Sequence, residues 1–271
     1  MGRGHGTSCA GIICATHNNI GIAGIAPNCS IMPISVDFGS GNYEYGLAKA
    51  IRWAWKNGGA DVLSCSWKID NNAYVEMAID SAITYGRGGK GCVVVFSSGN
   101  GNTKFDSVTP GPNIPYHIPG VIVVGGISID GKRKTFNSPA PNNTWGTNYG
   151  PRLDVVAPSG LISTTKPDTT NVLPYTRYHY CCFGGTSSAA PHVSGIAALM
   201  LSVDSNLTRQ QVVNIIEGTA RKVHSGTSTD EYNYQNVAGR PNGTWHEEMG
   251  YGLVDACEAV AIAANTTCGM H

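Results

Sequence analysis

Charge is scarce in this chain. Asp, Glu, Lys and Arg make up 13% of its 271 residues, and the formal net charge is zero. That is about half the usual charged share. No basic stripe runs through the sequence, which argues against a nucleic-acid partner. No apolar run reaches the roughly 20 residues that a membrane-spanning helix needs. The first residues, Met1-Gly2-Arg3-Gly4-His5, contain no apolar core of a secretory signal peptide. There is no internal repeat and no linker-like stretch of low complexity. The nine cysteines follow no regular framework, and their spacing matches no zinc pattern. An odd count leaves at least one thiol free if all pairing is internal. Compartment is not readable from them.

What is present is glycine, at 35 residues, and short apolar runs alternating with helical patterns. The length suits one large α/β domain. Ser30 to Val36 reads as a buried strand. Asn42 to Asn57 reads as a helix with Leu47, Ile51, Ala54 and Trp55 on one face. Asp61 to Ser64 reads as a strand, and Asn72 to Tyr85 as a helix with a stripe of Val75, Ala78, Ile79, Ala82 and Ile83. Cys92 to Phe96 is apolar throughout, the pattern of a parallel strand covered on both faces. Val121 to Val124 and Leu153 to Ala157 are two more strands. Thr208 to Gln211 is a capping-box pattern opening a helix, and a last helix runs from Asp255 to Ala264. The stretch from Pro158 to Phe183 reads as a surface loop or hairpin. Strands alternating with helices predict a mostly parallel central sheet with helices on both faces, a three-layer α/β fold.

The chain is organised around Gly184 to Met200. Val193, Ile196, Ala197 and Met200 recur at helical spacing. Thr186 or Ser187 stands near the cap, and Pro191 is expected in the first turn, where an N–H has no helical partner. A serine at such an entry lies among free N–H donors at the positive end of the helix dipole. That place suits a nucleophile acting on a carbonyl, and equally a Ser-capped core helix. His5 opens a second short helix of small and apolar residues, where a histidine serves as a cap or as a base. Asn100 follows the apolar strand ending at Phe96, and sites in parallel sheets lie beyond the carboxyl ends of strands. A metal pair of His5 and Cys9 lacks a third ligand at suitable spacing. Ser187 is not in a G-x-S-x-G elbow, which argues against an α/β-hydrolase esterase.

Three separated segments then agree. His5-Gly6-Thr7-x-Cys9-Ala10-Gly11, Ser98-Gly99-Asn100 and Gly185-Thr186-Ser187-x-Ala189-x-Pro191 occur in the order and rough spacing of the subtilisin-like serine proteases. Supporting matches include Gly21 to Pro27, Ala60 to Trp67, Pro119 to Gly125, Asp154 to Pro158 and Gly250 to Ala256. The resemblance covers nearly the whole chain. It implies a serine endopeptidase working through an acyl-enzyme, with Ser187 as nucleophile, His5 as general base and Asn100 as side-chain donor of the oxyanion hole. It implies that Ser64, Cys65, Ser66 and Trp67 form the edge along which extended substrate lies. Ser97, Ser98 and Gly99 would then wall the first specificity pocket, with Asn113 to Tyr116 near its base. By analogy with thiol-containing members, Cys9 would sit beneath the base, and His192 would be a packed structural histidine.

The same resemblance implies polypeptide substrates, no cofactor for catalysis, and a structural calcium without placeable ligands. It also implies a secreted or extracytoplasmic location and an upstream prodomain. One departure stands out. The family's catalytic aspartate lies on a turn upstream of the histidine, and no such turn precedes His5. Asp37 lies downstream and resembles no triad aspartate. The expectation is therefore that residues 1–271 form a single peptidase domain lacking the segment that carries the aspartate. The competing reading is a catalytically impaired relative that only binds peptides along the same edge.

Overall fold

The computed structural model describes residues 4–19, 21–39, 41–68, 72–104, 118–139, 144–164, 179–225 and 232–268. Four strands, β1 (Val62–Cys65), β2 (Val93–Ser97), β3 (Val121–Ile127) and β4 (Val155–Pro158), form a parallel sheet in that spatial order. Val62 pairs with Val93, Val94 with Val121, and Val124 with Val155. The helices are α1 (His5–Cys14), α2 (Tyr43–Lys56), α3 (Ala73–Tyr85), α4 (Thr186–Val203), α5 (Arg209–Gly218) and α6 (Ala256–Ala263). Strands β5 (Leu161–Thr164) and β6 (His179–Phe183) make a separate antiparallel pair, the hairpin alternative of the sequence reading.

Side chains alternate along β2, and both faces are covered. Val94 and Phe96 pack with Leu47 and Ile51 of α2 and with Ile79 and Ala82 of α3. Val93 and Val95 face the other way, into Val193, Ile196 and Met200 of α4 and Val212 and Ile216 of α5. The side chains of Val93, Val94, Val95 and Phe96 are fully buried. Each buried side chain of this size contributes about 1.5–3 kcal/mol relative to exposure. Two-sided burial explains why the segment reads as unbroken apolar sequence. The result is the three-layer α/β fold expected.

Helix starts follow local chemistry. Asn72 accepts from the N–H groups of Tyr74 and Val75, at 3.0 and 3.3 Å. Thr208 and Gln211 form a reciprocal capping box, and Asp255 accepts from Glu258 N–H at 3.0 Å.

Three expectations are corrected. Ser30 to Val36 is not a strand. Its backbone joins no ladder, and Ile31, Met32 and Ile34 are 39%, 36% and 42% exposed. An apolar run becomes a strand only beside a partner that takes its N–H and C=O groups. Among the described residues, β1 pairs on one side only, with β2, and its other edge is open. Second, Pro191 is the sixth residue of α4 and so lies in its second turn. Third, the helix has no side-chain cap: Gly185 is its N-cap, at φ 81° and ψ 166°. Of the cysteines, Cys257 and Cys268 form a disulfide. Cys9, Cys65 and Cys92 are buried free thiols, and Cys14 and Cys29 are half-buried ones.

Candidate active site

Pro191 organises the start of α4. It has no N–H, so the carbonyl of Ser187, four residues earlier, receives no helical hydrogen bond. Two side chains from elsewhere take its place. Ser66 Oγ donates to Ser187 O at 3.0 Å, and Cys9 Sγ donates to it at 3.5 Å. Ser66 follows β1, and Cys9 lies on α1 one turn after His5. The proline thus lets two separated segments fasten to the backbone of one serine.

Cys9 is also the bridge to His5. Its Sγ lies 3.9 Å from His5 Nδ1. His5 and Ser187 therefore flank the same sulfur atom. The other contact of the imidazole is edge-to-face with Phe183 of β6, at a centroid distance of 5.4 Å. Burial lowers the His5 pKa below its ordinary value. Burial also pushes the Cys9 thiol up to about 11, so it is a neutral thiol near pH 7. No carboxylate among the described residues pairs with His5. The Ser187 hydroxyl donates to Ser66 O at 3.4 Å.

Asn100 lies three residues past the end of β2. Its Oδ1 accepts from Thr186 N–H at 2.8 Å and from Thr186 Oγ1 at 3.0 Å. A backbone N–H only donates, so its partner must be the carboxamide oxygen. The carboxamide is thereby fixed with Nδ2 on its free side. A Cβ at Gly185 would come within 2.9 Å of that nitrogen, so the absence of a side chain there makes room for the amide. Gly185 also holds φ 81°, which favours glycine. Thr186 Oγ1 accepts from Gly99 N–H at 2.9 Å, which locks the loop after β2 to the start of α4. The N–H of Ser188 goes to Gly185 O at 3.0 Å. The geometry brings Ser187, His5, Cys9, Asn100 and Ser66 into one cluster.

The other expected contact residues divide in two. Ser64 is exposed on β1, and Trp67 is half-buried, edge-to-face with Phe96 at 4.9 Å. Cys65, Ser66, Ser97 and Ser98 are buried, and Ser98 Oγ donates to Asn148 O at 3.1 Å. Asn148 Oδ1 in turn accepts from Gly101 N–H at 2.9 Å and Thr103 N–H at 3.1 Å. Asn113 to Tyr116 lie outside the described residues. His192 is turned back on its own helix, with Nδ1 2.8 Å from Ser188 O, and burial lowers its pKa.

Sequence reasoning missed the role of Thr186 as a double clamp and of Ser66 as the donor to Ser187 O. The second was open to inference: a proline four residues after Ser187 leaves that carbonyl in need of a donor.

A serine at a helix entry, a histidine on a neighbouring helix and a fixed carboxamide, all at one end of a parallel sheet, define an α/β protein with a serine–histidine–asparagine centre. A model of the subtilase family matches residues 2–252, and the chain belongs to that family. It is 31% identical over 285 residues to a calcium-dependent protease of Nostoc sp., covering 96% of this chain and 40% of that protein. It is 34% identical over 222 residues to subtilisin DY of Bacillus licheniformis, covering 81% of this chain and 71% of that protein. A solved protease structure from Pseudoalteromonas arctica superposes with a TM-score of 0.70 at 27% identity, covering 96% of this chain and 70% of that one. The chain thus spans well under half the length of the calcium-dependent relative.

The name of that relative raises calcium. Among the described residues there is no group of three or more His, Cys, Asp or Glu able to hold a metal ion. No helix among the described residues is long and apolar enough to cross a membrane.

Proposed function

We propose that this chain carries the peptide-hydrolysing centre of a subtilisin-like serine endopeptidase, and that residues 1–271 act as one peptidase domain. The observation that supports this most is the fixed Asn100 carboxamide, whose Nδ2 stands over Gly185 beside Ser187. In this reading Ser187 Oγ attacks the scissile carbonyl. His5, neutral at pH 7 because burial lowers its pKa, takes the serine proton. Negative charge develops on the carbonyl oxygen, where Asn100 Nδ2 and the Ser187 N–H donate to it. Collapse breaks the C–N bond, and His5 gives its proton to the leaving amine. Water then repeats the sequence on the acyl-enzyme. Extended substrate lies along Ser64 to Trp67, and Ser97 to Gly99 wall the pocket for the residue before the scissile bond. Substrates are polypeptides. A secreted or extracytoplasmic setting and a prodomain belong to the same reading and rest on the family.

The carboxylate that would orient His5 comes, in this proposal, from outside the described residues. The open edge of β1 and the exposed Ile31, Met32 and Ile34 mark where an added parallel strand would find partners. The lack of a carboxylate at His5 among the described residues also favours a second reading, a chain that binds peptides without cleaving them.

A fluorophosphonate probe separates the two. The protease reading expects covalent labelling at Ser187, abolished in a folded Ser187→Ala variant, which also loses peptide hydrolysis. Absence of labelling in folded protein with its full complement of segments favours the binding-only reading. Labelling retained by Ser187→Ala removes the proposed nucleophile.

A further inference from the structure

Helix α1 carries His5 at its first residue and Cys14 at its last. The chain leaves α1, loops, and returns alongside it. Gly24 N–H donates to Ala15 O at 2.8 Å, Ile25 N–H to Ile12 O at 3.0 Å, and Ala26 N–H to Ile13 O at 2.7 Å. Cys29 then closes a turn, its N–H donating to Ala26 O at 3.1 Å. Ala26 is thus bonded to the residue just before Cys14, and the turn it begins places Cys29 beside Cys14. Each thiol shifts the pKa of the other, as neighbouring sulfurs do, and each is half-buried, so both remain within reach of a small reagent. The sequence brings them together over 15 positions with no hint beyond their presence.

We propose that Cys14 and Cys29 are a disulfide-forming pair that fastens the end of the His5 helix to the returning segment. The structure shows them as free thiols and, among the described residues, shows one disulfide, Cys257–Cys268. The site would be converted by a small-molecule disulfide such as glutathione disulfide. One cysteine thiolate attacks the reagent's S–S bond, forming a mixed disulfide and releasing one glutathione thiolate. The second cysteine thiolate attacks the protein sulfur of that mixed disulfide and releases the other. Two electrons pass from the cysteines to the reagent, and the two thiol protons end on the two glutathiones. Burial and the neighbouring sulfur raise the pKa of Cys14, and burial raises that of Cys29. The exchange should therefore speed up as the pH rises above neutrality.

Closing a loop of about 15 residues shifts a folding equilibrium by about 10²-fold in the chain-entropy account.

The test is non-reducing peptide mapping by mass spectrometry of the wild-type chain, incubated at pH 8 with glutathione disulfide. The expected result is a linked pair of peptides containing Cys14 and Cys29, 2 Da lighter than their sum. Urea unfolding in a Cys257→Ser/Cys268→Ser background then reads the effect, with the oxidised form favouring the folded state by about 10²-fold over the Cys14→Ser variant. If Cys14 and Cys29 are both still alkylated by iodoacetamide after oxidation, the proposal fails. It fails equally if either is found linked to another cysteine, or if the linked form is no more stable than Cys14→Ser.

Discussion

Glu217 is a carboxyl group in the wrong solvent, and stability should record it. It is 7% exposed, near the end of α5. Asn242 Nδ2 donates to its Oε2 at 2.7 Å. Burial, then the nearby Asp154, push its pKa up to about 7. Asp154 is itself buried and its pKa is raised by burial, although Arg240 donates to its Oδ1 at 2.6 Å and Val123 N–H to its Oδ2 at 2.7 Å. Arg240 thus serves a pair of carboxyl groups, with its direct ion pair to Asp154. The sign is set by linkage. Unfolded, Glu217 titrates near 4.5; folded, near 7. Between those values the folded chain keeps a proton that the unfolded chain has lost, so stability falls as pH rises through that window. A difference of about 2.5 pK units corresponds to a loss of about 3 kcal/mol, complete above pH 7. Glu217→Gln keeps an acceptor for Asn242 and cannot ionise. Urea midpoints and slopes measured from pH 4.5 to 8.5 should give a variant that gains on the wild type steadily with pH, by up to about 3 kcal/mol at pH 8. Carboxylates other than Asp154 titrate alike in both proteins, so the difference reports Glu217 together with its coupling to Asp154. Parallel profiles for the two proteins across this range would refute the argument and place Glu217 in a well-solvated setting.

Gly185→Ala should cost activity more than stability, because its Cβ would sit 2.9 Å from Asn100 Nδ2 and φ 81° disfavours any side chain. The expected fall in kcat is about 10²-fold or more, a magnitude measured on subtilisin itself rather than worked from this structure; unchanged kcat in folded protein would show that the carboxamide is not the oxyanion donor. In the 271-residue chain alone, the acidic limb of kcat/KM should lie below pH 6.5, since burial lowers the His5 pKa; a limb above that value in this chain would mean that His5 is not the base. A mercurial should inactivate the protease slowly through Cys9, whose thiol is buried and whose pKa is about 11. Its adduct would displace the imidazole 3.9 Å away. An active Cys9→Ala variant that stays equally sensitive would place the reactive thiol elsewhere.

The sequence by itself determined the layers. Unbroken apolar runs mark the strands, helical stripes mark α2 to α5, and local side-chain chemistry marks the caps at Asn72, Thr208 and Asp255. These are short-range effects, legible because backbone and side chain settle them within a few residues. The motif residues His5, Asn100 and Ser187 were legible as well, because their neighbours at fixed spacing form recognisable local patterns. What only the tertiary structure decided depends on partners distant in the chain. Ser30 to Val36 has a strand's composition but meets no neighbouring ladder, so it stays irregular and exposed. Glu217 reads as an ordinary helical charge until Asp154, 63 positions earlier, is folded beside it. Pro191 reads as a first-turn proline until Ser66 and Cys9 arrive from two other segments to satisfy the Ser187 carbonyl it leaves open. Hydrogen-bond satisfaction and desolvation are properties of the packed chain, and no local window of sequence contains them.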